Sequence, residues 1–464
     1  MGNTCKVFGV FLLFTCGILN VASAQVVSYE TFFVGTNGEE PELPALAQDI
    51  DGSLNGTAPL GGAYGEGVTF KWKQKLNQID AINSFDVTNG DRPVAGVILA
   101  SDGTFYGASY HGGANSFLGL IFRVTRDGSL HTVNDFETTT GVNPTSLMQG
   151  IGGRFYGTTD NVSGQAYSGT VFAMSPAGVI KTLHQFDGSD GALPEARLIQ
   201  DSNGTLYGST YIAGNFDACD NGCGTIFKLT ADGTFTTLHV FDGDDGNRPN
   251  TALVQASDGN FYGTTEFGGT YGNGTLFRIT ADGKFETLYS FCGMSCGDGK
   301  RPNSLIQGTD GNLYGTTQFG GTGEWGTLFE SSLDGTLSTL YSFTENTPGL
   351  VPFGLTQSTD GKFYGVINGG GRSGWGGIFQ LDMGLQPFVT FVLKYGSPGQ
   401  TGKILGQGFT GATDVSVNGT PATFTVVSDT YIKATIPQGA TSGYVSVTTP
   451  SGVLTSNVPF TVIP

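Results

Sequence analysis

The chain has 464 residues, of which 76 are glycine and 13% are charged, and its formal net charge at pH 7 is −18. This length exceeds one ordinary domain core, so repeats or several domains are expected, and the absence of a Gly-X-Y period excludes collagen. The acidic balance disfavours nucleic acid and anionic lipid as partners.

Residues 1–24 are predicted to be a secretory signal peptide. Lys6 precedes a largely apolar stretch at residues 7–21, and small residues at 22–24 fit cleavage before Gln25. A lipoprotein attachment site at residues 13–16 is the alternative and fits less well. No later run is long and apolar enough to span a bilayer, so we expect an exported chain, extracellular or held at the cell surface or in the periplasm.

A short motif recurs along most of the chain, and its clearest copy is Asp-Gly-Asn-Leu-Tyr-Gly-Thr-Thr at residues 310–317. Each period contains two apolar strands joined by an Asp-Gly turn, a glycine-rich loop, and two further strands around a second turn. The glycine after the aromatic residue recurs every 50 to 55 residues, at positions 56, 107, 157, 208, 263, 315 and 365. Four short antiparallel strands per period predict a seven-bladed β-propeller over residues 25–384.

Three features of the repeat predict how the blades pack. Leu328 and Phe329 are both apolar although they point to opposite faces, so each sheet should be buried on both faces. The recurring glycine predicts close approach of an aromatic ring or backbone. Tyrosines should fill the gaps between blades with their hydroxyls bonded to a neighbour. Residues 29–34 should complete the seventh blade, whose other strands come from residues 355–381, and so close the ring.

Four cysteines follow the predicted signal peptide, as two pairs that lie in different repeats. Each pair is separated by three residues in a loop rich in glycine and aspartate: Cys219 with Cys223, and Cys292 with Cys296. In an oxidising compartment this spacing predicts two local disulfides. A four-thiolate zinc site is the alternative.

The repeat pattern stops near residue 384, and residues 385–464 contain short strands rich in valine and threonine with turn signals between them. This segment is predicted to be a small immunoglobulin-like β-sandwich.

The repeats resemble the GloVer-type tandem repeat of bacterial "choice-of-anchor" exported proteins over roughly residues 45 to 380. The similarity rests on Gly-Thr-Leu-Phe at 274–277, Ala-Asp-Gly at 281–283, Thr-Leu-Tyr-Ser-Phe at 287–291 and the motif at 310–317. The tail at 406–462 is similar to IPT/TIG domains in Gly-Phe-Thr at 408–410 and Asn-Gly-Thr-Pro-Ala at 418–422. Neither resemblance implies a set of catalytic residues.

Candidates for acid–base or metal chemistry are few, and we assign no catalytic residue. His184 and His239 occupy the register that Tyr289 and Tyr341 fill in other repeats, which favours packing over catalysis. The acidic loops at residues 187–190 and 242–247 could offer oxygen ligands to Ca²⁺. Ordinary turn formation is the alternative for such aspartate and glycine clusters, and no other cofactor is expected.

Two further sets of residues recur at equivalent positions. Arg92, Arg248 and Arg301 each precede a proline in the loops between repeats, without an evident acid–base partner. Glutamines share one register on the innermost strand, where each amide should satisfy backbone groups of an adjacent blade, although a ligand role is the alternative. They are Gln48, Gln149, Gln200, Gln255, Gln307 and Gln357.

Aromatic residues in the loops between second and third strands are the candidates for ligand binding. Trp325 and Trp375 are equivalent in adjacent repeats, and Tyr167 and Phe117 lie in or near the same register. Exposed on one rim, they could stack on sugar rings or dock a protein, whereas burial under the loops is the alternative.

These observations lead to a hypothesis of a non-enzymatic binding or scaffold protein that presents propeller loops to an extracellular glycan or protein. The first alternative is a propeller enzyme acting on polysaccharide, a lyase or hydrolase, which needs carboxylates or His, Tyr and Arg side chains that converge in a funnel. The second alternative is a purely structural component of the cell envelope.

Overall fold

The computed structural model describes residues 26–42, 46–114, 118–162, 165, 167–371 and 373–463, so the predicted signal peptide lies outside it. Within this part of the chain the structure is all-β, and its helical turns are the short Gln74–Leu76, Ile151–Gly153 and Gly293–Ser295. None of the described helices has the length and apolar character needed to cross a membrane.

Seven antiparallel sheets follow one another along the described residues before Met383, and we number them sheets 1 to 7. Sheets 1 and 2 contain Ala47–Gln48, Leu54–Ala58, Val68–Lys73 and Gln78–Ser84, then Val97–Leu99, Phe105–Ser109, Leu120–Val124 and Leu130–Asp135. Sheets 3 and 4 contain Val142–Gln149, Phe155–Asn161, Thr170–Met174 and Ile180–Gln185, then Ile199–Gln200, Leu206–Thr210, Thr225–Leu229 and Phe235–Val240.

The later sheets keep the same order of strands. Sheet 5 contains Asn247–Pro249, Val254–Gln255, Phe261–Phe267, Thr275–Ile279 and Phe285–Ser290, and sheet 6 contains Lys300–Gln307, Leu313–Phe319, Thr327–Ser331 and Leu337–Ser342. Sheet 7 contains Gly349–Gln357, Phe363–Gly370, Gly377–Asp382 and the leading strand Val26–Phe32. This is a β-propeller-like repeat fold.

The leading strand pairs antiparallel with the third strand of sheet 7, from Val26 opposite Asp382 to Phe32 opposite Gly377. The predicted pairing of the start of the chain with the last repeat is therefore confirmed. Sheet 7 then contacts sheet 1, because Trp72 packs against Tyr364 with ring centroids 5.3 Å apart. The leading strand thus covers the edge of the third strand of sheet 7, which would otherwise be free.

The repeated glycine lies directly opposite a phenylalanine on the third strand, as in the pair of Gly315 with Phe329. At Gly263 an added Cβ would lie 2.5 Å from Cζ of Phe277 and 3.0 Å from Cδ2 of Leu253. The absence of a side chain thus lets the ring lie flat over the neighbouring strand, and the predicted close approach is confirmed.

The tyrosines before these glycines fill the gaps between sheets, as predicted. Tyr314 packs on Phe363 of sheet 7 with centroids 4.4 Å apart, and Tyr106 packs on Phe155 of sheet 3 at 4.5 Å. The hydroxyl partner is more local than the prediction assumed, because Tyr314 donates to Asp310 of its own hairpin turn at 2.8 Å.

Five of the six predicted glutamines join adjacent sheets, which confirms the structural interpretation for Gln48, Gln149, Gln200, Gln307 and Gln357, whereas Gln255 is exposed. Gln149 accepts a hydrogen bond from the backbone N–H of Ser101 in the preceding sheet at 2.8 Å. Gln48 makes the corresponding bond across the junction of sheets 7 and 1, accepting from the N–H of Thr359 at 3.0 Å. These bonds satisfy backbone groups that the hairpin turns leave unpaired.

The C-terminal residues form separate sheets around their own core, in which Phe409, Val415, Ile432 and Val447 are fully buried. One sheet contains Thr390–Phe391, Thr401–Leu405, Tyr431–Thr435 and Phe424–Ser428, and a second contains Thr420–Pro421, Asp414–Val417, Val445–Thr449 and Gly452–Thr455. A short parallel pair joins Tyr395–Gly396 to Thr461–Val462.

Both predicted disulfides are present, Cys219 with Cys223 and Cys292 with Cys296. Because all four sulfurs are bonded in pairs, the alternative of a four-thiolate zinc site is excluded.

The glycine–phenylalanine contact leads to a stability prediction. The change Gly263→Ala should lower the free energy of unfolding by about 1–3 kcal/mol, because the methyl group overpacks the site against Phe277. The control Gly369→Ala places its Cβ 3.9 Å from the nearest atom, on Leu350, and should cause no loss. Urea denaturation measures both, and equal midpoints for the two variants would contradict the packing argument.

Candidate functional site

A cavity of about 840 Å³ lies between the innermost strands of the sheets. One end, which we call the turn end, is bordered by the hairpin turns between first and second strands. The other, the loop end, is bordered by the loops between second and third strands and by the connections between sheets. Charged and hydroxyl side chains line the cavity toward the loop end, among them Arg92, Tyr110, Asp160, Glu195 and Tyr211.

A repeated backbone hydrogen bond holds the loop end together. In each connection the residue before the first proline has a positive φ, between 48° and 60°, and donates its N–H to a carbonyl of the preceding sheet at 2.8 to 3.1 Å. The donor–acceptor pairs are Glu40–Trp375, Arg92–Glu66, Asn143–Leu118, Leu193–Ser168, Arg248–Cys223, Arg301–Asn273 and Val351–Trp325. Positive φ is unfavourable for side chains of this size, so the repeated bond must offset the strain.

Two tyrosine–carboxylate pairs line this end of the cavity, and they come from successive sheets. Tyr110 donates to Oδ2 of Asp160 at 2.7 Å, and Tyr211 donates to Oε2 of Glu266 at 2.5 Å. Each pair joins residues at equivalent positions of neighbouring sheets. Oδ1 of Asp160 is buried and has no hydrogen-bond partner among the described residues. A buried carboxylate oxygen without a donor favours the protonated acid.

Burial and mutual repulsion raise the pKa values of two of these acids. Burial raises the pKa of Asp160 to about 6. Glu195 faces water in the cavity but is surrounded by protein, and this burial, with the charges of Asp160 and Glu266, raises its pKa to about 8. Burial also raises the pKa of Tyr110 and Tyr211 above the usual range, so both remain hydrogen-bond donors. The cavity therefore holds groups that can exchange protons near neutral pH.

Arg301 has an acidic partner, which corrects the expectation from the sequence for this one of the three loop arginines. Arg248 and Arg301 both lie over the ring of Phe267, with Cζ 5.3 Å and 4.6 Å from its centroid. Arg301 also lies 3.7 Å from Oε1 of Glu266. The two guanidinium groups are thus held against an aromatic face beside the acids.

The aromatic candidates lie on the same face of the molecule, farther along the loops. Trp325 and Trp375 are each 37% exposed, so they are neither buried nor fully free. Tyr167, also 37% exposed, donates to Oδ1 of Asn221 at 2.7 Å. Phe117 falls outside the described residues. The structure does not bring Trp325, Trp375 or Tyr167 into the wall of the cavity.

The histidines and the acidic loops have local roles. His184 bonds to Asp190 at 2.7 Å and stacks on Phe235 at 3.7 Å, while His239 repeats this arrangement with Asp245 and Phe285, which confirms their packing role. Asp187 and Asp242 accept hydrogen bonds from N–H groups of their own turns. No group of three or more His, Cys, Asp or Glu in the described ranges is placed to hold a metal ion.

The acids and tyrosines of the cavity were not predicted from the sequence, although a signal for them exists. The residue three positions after the repeated glycine lies within two residues of the end of the second strand, at the loop end, and varies among the repeats. It is Tyr110, Asp160, Tyr211, Glu266, Gln318 or Asn368 in sheets 2 to 7. Each of these six positions carries a side chain that can form hydrogen bonds. Alignment of the repeats would have revealed this pattern.

Comparison with known proteins supports the repeat architecture. A model of the Gloeobacter/Verrucomicrobia repeat family matches residues 40–256 and 216–425. None of the curated proteins matches the sequence. A solved streptogramin B lyase is 18% identical, with a TM-score of 0.52 over 77% of this chain and 97% of that one. A fungal alcohol oxidase of the AA5 family, in complex with copper, is 13% identical, with a TM-score of 0.53 over 94% and 99%. At such identities the likeness shows the fold alone.

The raised carboxyl pKa values predict how stability depends on pH. The pKa of Glu195 moves from 4.5 to about 8 on folding, so its contribution is complete below pH 4.5 and is lost as the pH rises to about 8. Asp160 acts in the same direction between pH 3.8 and about 6. We therefore expect Glu195→Gln to flatten the fall in unfolding midpoint above pH 6, and Asp160→Asn to flatten it below.

Thermal unfolding at a series of pH values measures this effect. Glu345→Gln, which alters an exposed loop glutamate far from the cavity, is the matched control and should keep the wild-type profile. A Glu195→Gln profile that superimposes on the wild type would show that this carboxyl does not retain its proton.

Proposed function

The chain belongs to the Gloeobacter/Verrucomicrobia repeat family, and from this premise we propose that it is an exported, non-enzymatic binding protein that receives an extracellular glycan in its central cavity. In this proposal sheets 1 to 7 are the blades of a closed seven-bladed propeller, and the C-terminal residues form an immunoglobulin-like module of the IPT/TIG type. The two disulfides support an oxidising, extracytoplasmic location.

The observation that carries the proposal is the chemistry of the cavity wall. Tyrosine hydroxyls, carboxylates, arginines and amides converge there on a space of about 840 Å³, which is within the size range of small-ligand sites. A sugar ring presents many hydroxyls that both donate and accept hydrogen bonds, so it matches a wall that contains both kinds of group. An apolar ligand would leave unsatisfied the polar atoms that have no partner among the described residues, such as Oδ1 of Asp160 and Oδ1 of Asn250, and such groups are costly to bury.

The C-terminal module restricts entry to the cavity. Its Tyr395 donates to the carbonyl of Gln200 at 2.7 Å, and its Thr430 donates to the carbonyl of Ile50 at 2.6 Å. Gln407 donates to Oγ1 of Thr359 at 3.0 Å. These contacts lie at the turn end of sheets 4, 1 and 7, which are spread around the axis. The ligand would therefore enter at the loop end, and a polymer could insert a terminus or a side branch but not thread through.

Trp325, Trp375 and Tyr167 lie at the loop end, outside the cavity. We assign them to the part of the ligand that remains outside, where partly exposed aromatic rings can cover the apolar face of a sugar. Phe117 belongs to the same candidate set by its position in the sequence.

The proposal predicts the result of a substitution that preserves shape. In Tyr211→Phe combined with Glu266→Gln, the cavity loses one hydroxyl and one charge while both side chains keep their size. We expect affinity for a bound oligosaccharide to fall about 10- to 100-fold, because hydrogen bonds to charged groups are worth about 1.5–3 kcal/mol. A screen of oligosaccharides and cell-wall material identifies the ligand, and titration calorimetry then measures the affinity.

The matched control is Tyr314→Phe combined with Glu330→Gln. This pair is also a tyrosine beside a glutamate, 3.3 Å apart, but it lies at the turn end outside the cavity. The affinity of this control variant for the oligosaccharide should equal that of the wild type. A Trp325→Ala, Trp375→Ala variant, measured in the same titration, tests the rim. Unchanged affinity in the Tyr211→Phe, Glu266→Gln variant would show that the ligand binds outside the cavity. Unchanged affinity in the Trp325→Ala, Trp375→Ala variant would show that the tryptophans do not contribute to binding.

An enzyme that acts on polysaccharide is the second candidate, and the raised pKa values of Asp160 and Glu195 are the observation that favours it. A general acid or base works best with a pKa near the working pH. In that case Asp160→Asn and Glu195→Gln should each abolish turnover of the bound glycan with little change in affinity. New reducing ends report hydrolysis and a new unsaturated product reports elimination, and the absence of both from wild-type digests would leave the binding function.

A further inference from the structure

One side chain in the cavity differs from all its equivalents in the other sheets. Arg197 lies three residues before Gln200 on the innermost segment of sheet 4 and lines the cavity. In sheets 2, 3, 5, 6 and 7 the equivalent residue, three positions before the one that aligns with Gln200, is small. These residues are Gly96, Ser146, Ala252, Ser304 and Gly354. Small residues keep the cavity wide at this level, so the long side chain of Arg197 is an exception that packing does not require.

Arg197 also lacks a counter-charge. No ion pair or hydrogen bond of its guanidinium group is found within the described residues, and burial lowers its pKa without any opposing contribution from an acid. The acids of the cavity are directed elsewhere, since Asp160 holds Tyr110, and Glu266 holds Tyr211 and faces Arg301. An unpaired cation surrounded by protein destabilises the folded state, which a partner anion would relieve.

We propose that Arg197 forms an anion subsite of the cavity and binds a carboxylate or phosphate group carried by the ligand. The guanidinium group suits both, because its planar donors can bond two oxygens of one anion at once. This inference rests on the proposed binding function and narrows its ligand from glycans in general to acidic glycans, such as those with uronic acid or phosphorylated sugars.

Arg197 is not the only arginine at the cavity. Arg92 also lines it, and Arg248 and Arg301 lie beside it against the ring of Phe267. The acids Glu42, Asp160, Glu195 and Glu266 line the cavity as well, so an anionic group of the ligand would be bound by Arg197 itself and not by a general excess of positive charge.

The test uses the mature chain and the variant Arg197→Ala, which places at this position the residue that sheet 5 carries naturally as Ala252. Arg278→Ala is the matched control, because Arg278 is paired with Glu286 on the outer strands. Galacturonic acid, inorganic phosphate and neutral galactose are the probes, and titration calorimetry gives the affinities. We expect the wild type to bind at least one of the two anions and Arg197→Ala to bind it about 10- to 100-fold more weakly. Arg278→Ala should match the wild type.

A second readout needs no ligand. Arg197→Ala should raise the unfolding midpoint of the free protein, since it removes an unpaired, partly buried cation from the cavity wall, whereas a purely structural arginine would lower the midpoint when removed. Binding of galacturonate alone would identify a carboxylate as the partner, and binding of phosphate alone would identify a phosphoryl group. Equal anion affinity in the wild type and Arg197→Ala, or no anion binding by the wild type, would overturn the subsite.

The subsite and the proposed function fail in different ways. If an acidic oligosaccharide that contains galacturonic acid binds to the wild type and to Arg197→Ala equally, and binding is lost in the Tyr211→Phe, Glu266→Gln variant, the binding function stands and the anion subsite falls. If the Tyr211→Phe, Glu266→Gln variant binds every glycan with wild-type affinity, the proposal that the glycan binds in the cavity is wrong.

Discussion

The backbone hydrogen bond before each proline is the constraint on which the rest of this structure depends. It joins every sheet to its predecessor and includes the bond from Glu40 to Trp375 that connects sheet 1 to sheet 7. Because the bond uses only main-chain atoms, it holds the loop end in place whatever side chain the residue carries. Arginine at three of the positions, Arg92, Arg248 and Arg301, and valine at Val351 are accommodated by the same geometry. A repeated backbone can thus carry an unrepeated set of side chains around one cavity.

The architecture could be predicted because its determinants are local and recur in every period. The glycine at position 263 is required by the ring of Phe277, and the glutamine at position 149 is required by the turn at Ser101, so both leave a signature in each repeat. Pairing of the leading strand with sheet 7 was predicted because a strand-like segment at residues 29–34 precedes the first repeat and can complete the last one.

The candidate site could not be predicted in the same way, because it is built from the positions where the repeats differ. Asp160 and Tyr110 are 50 residues apart and meet only because adjacent sheets bring equivalent positions together. Their pKa values depend on burial across several sheets, which no single repeat encodes. The tryptophans in equivalent loops stand out among the features that the repeats share, whereas a lone Arg197 does not.

The side chains that cost most to bury are not spread evenly around the axis. Asp160, Glu195, Arg197 and Glu266 all belong to sheets 3 to 5, and Glu42 and Arg92 line the cavity from the connections that enter sheets 1 and 2, whereas Phe353 and Leu355 line it from sheet 7. A ring of similar modules gains no stability from placing acids near one another, since burial and the charges of Asp160 and Glu266 raise the pKa of Glu195 and so cost free energy above pH 4.5. A cost of this kind, concentrated in part of an otherwise repetitive wall, is what selection for a bound ligand would maintain and selection for stability alone would remove.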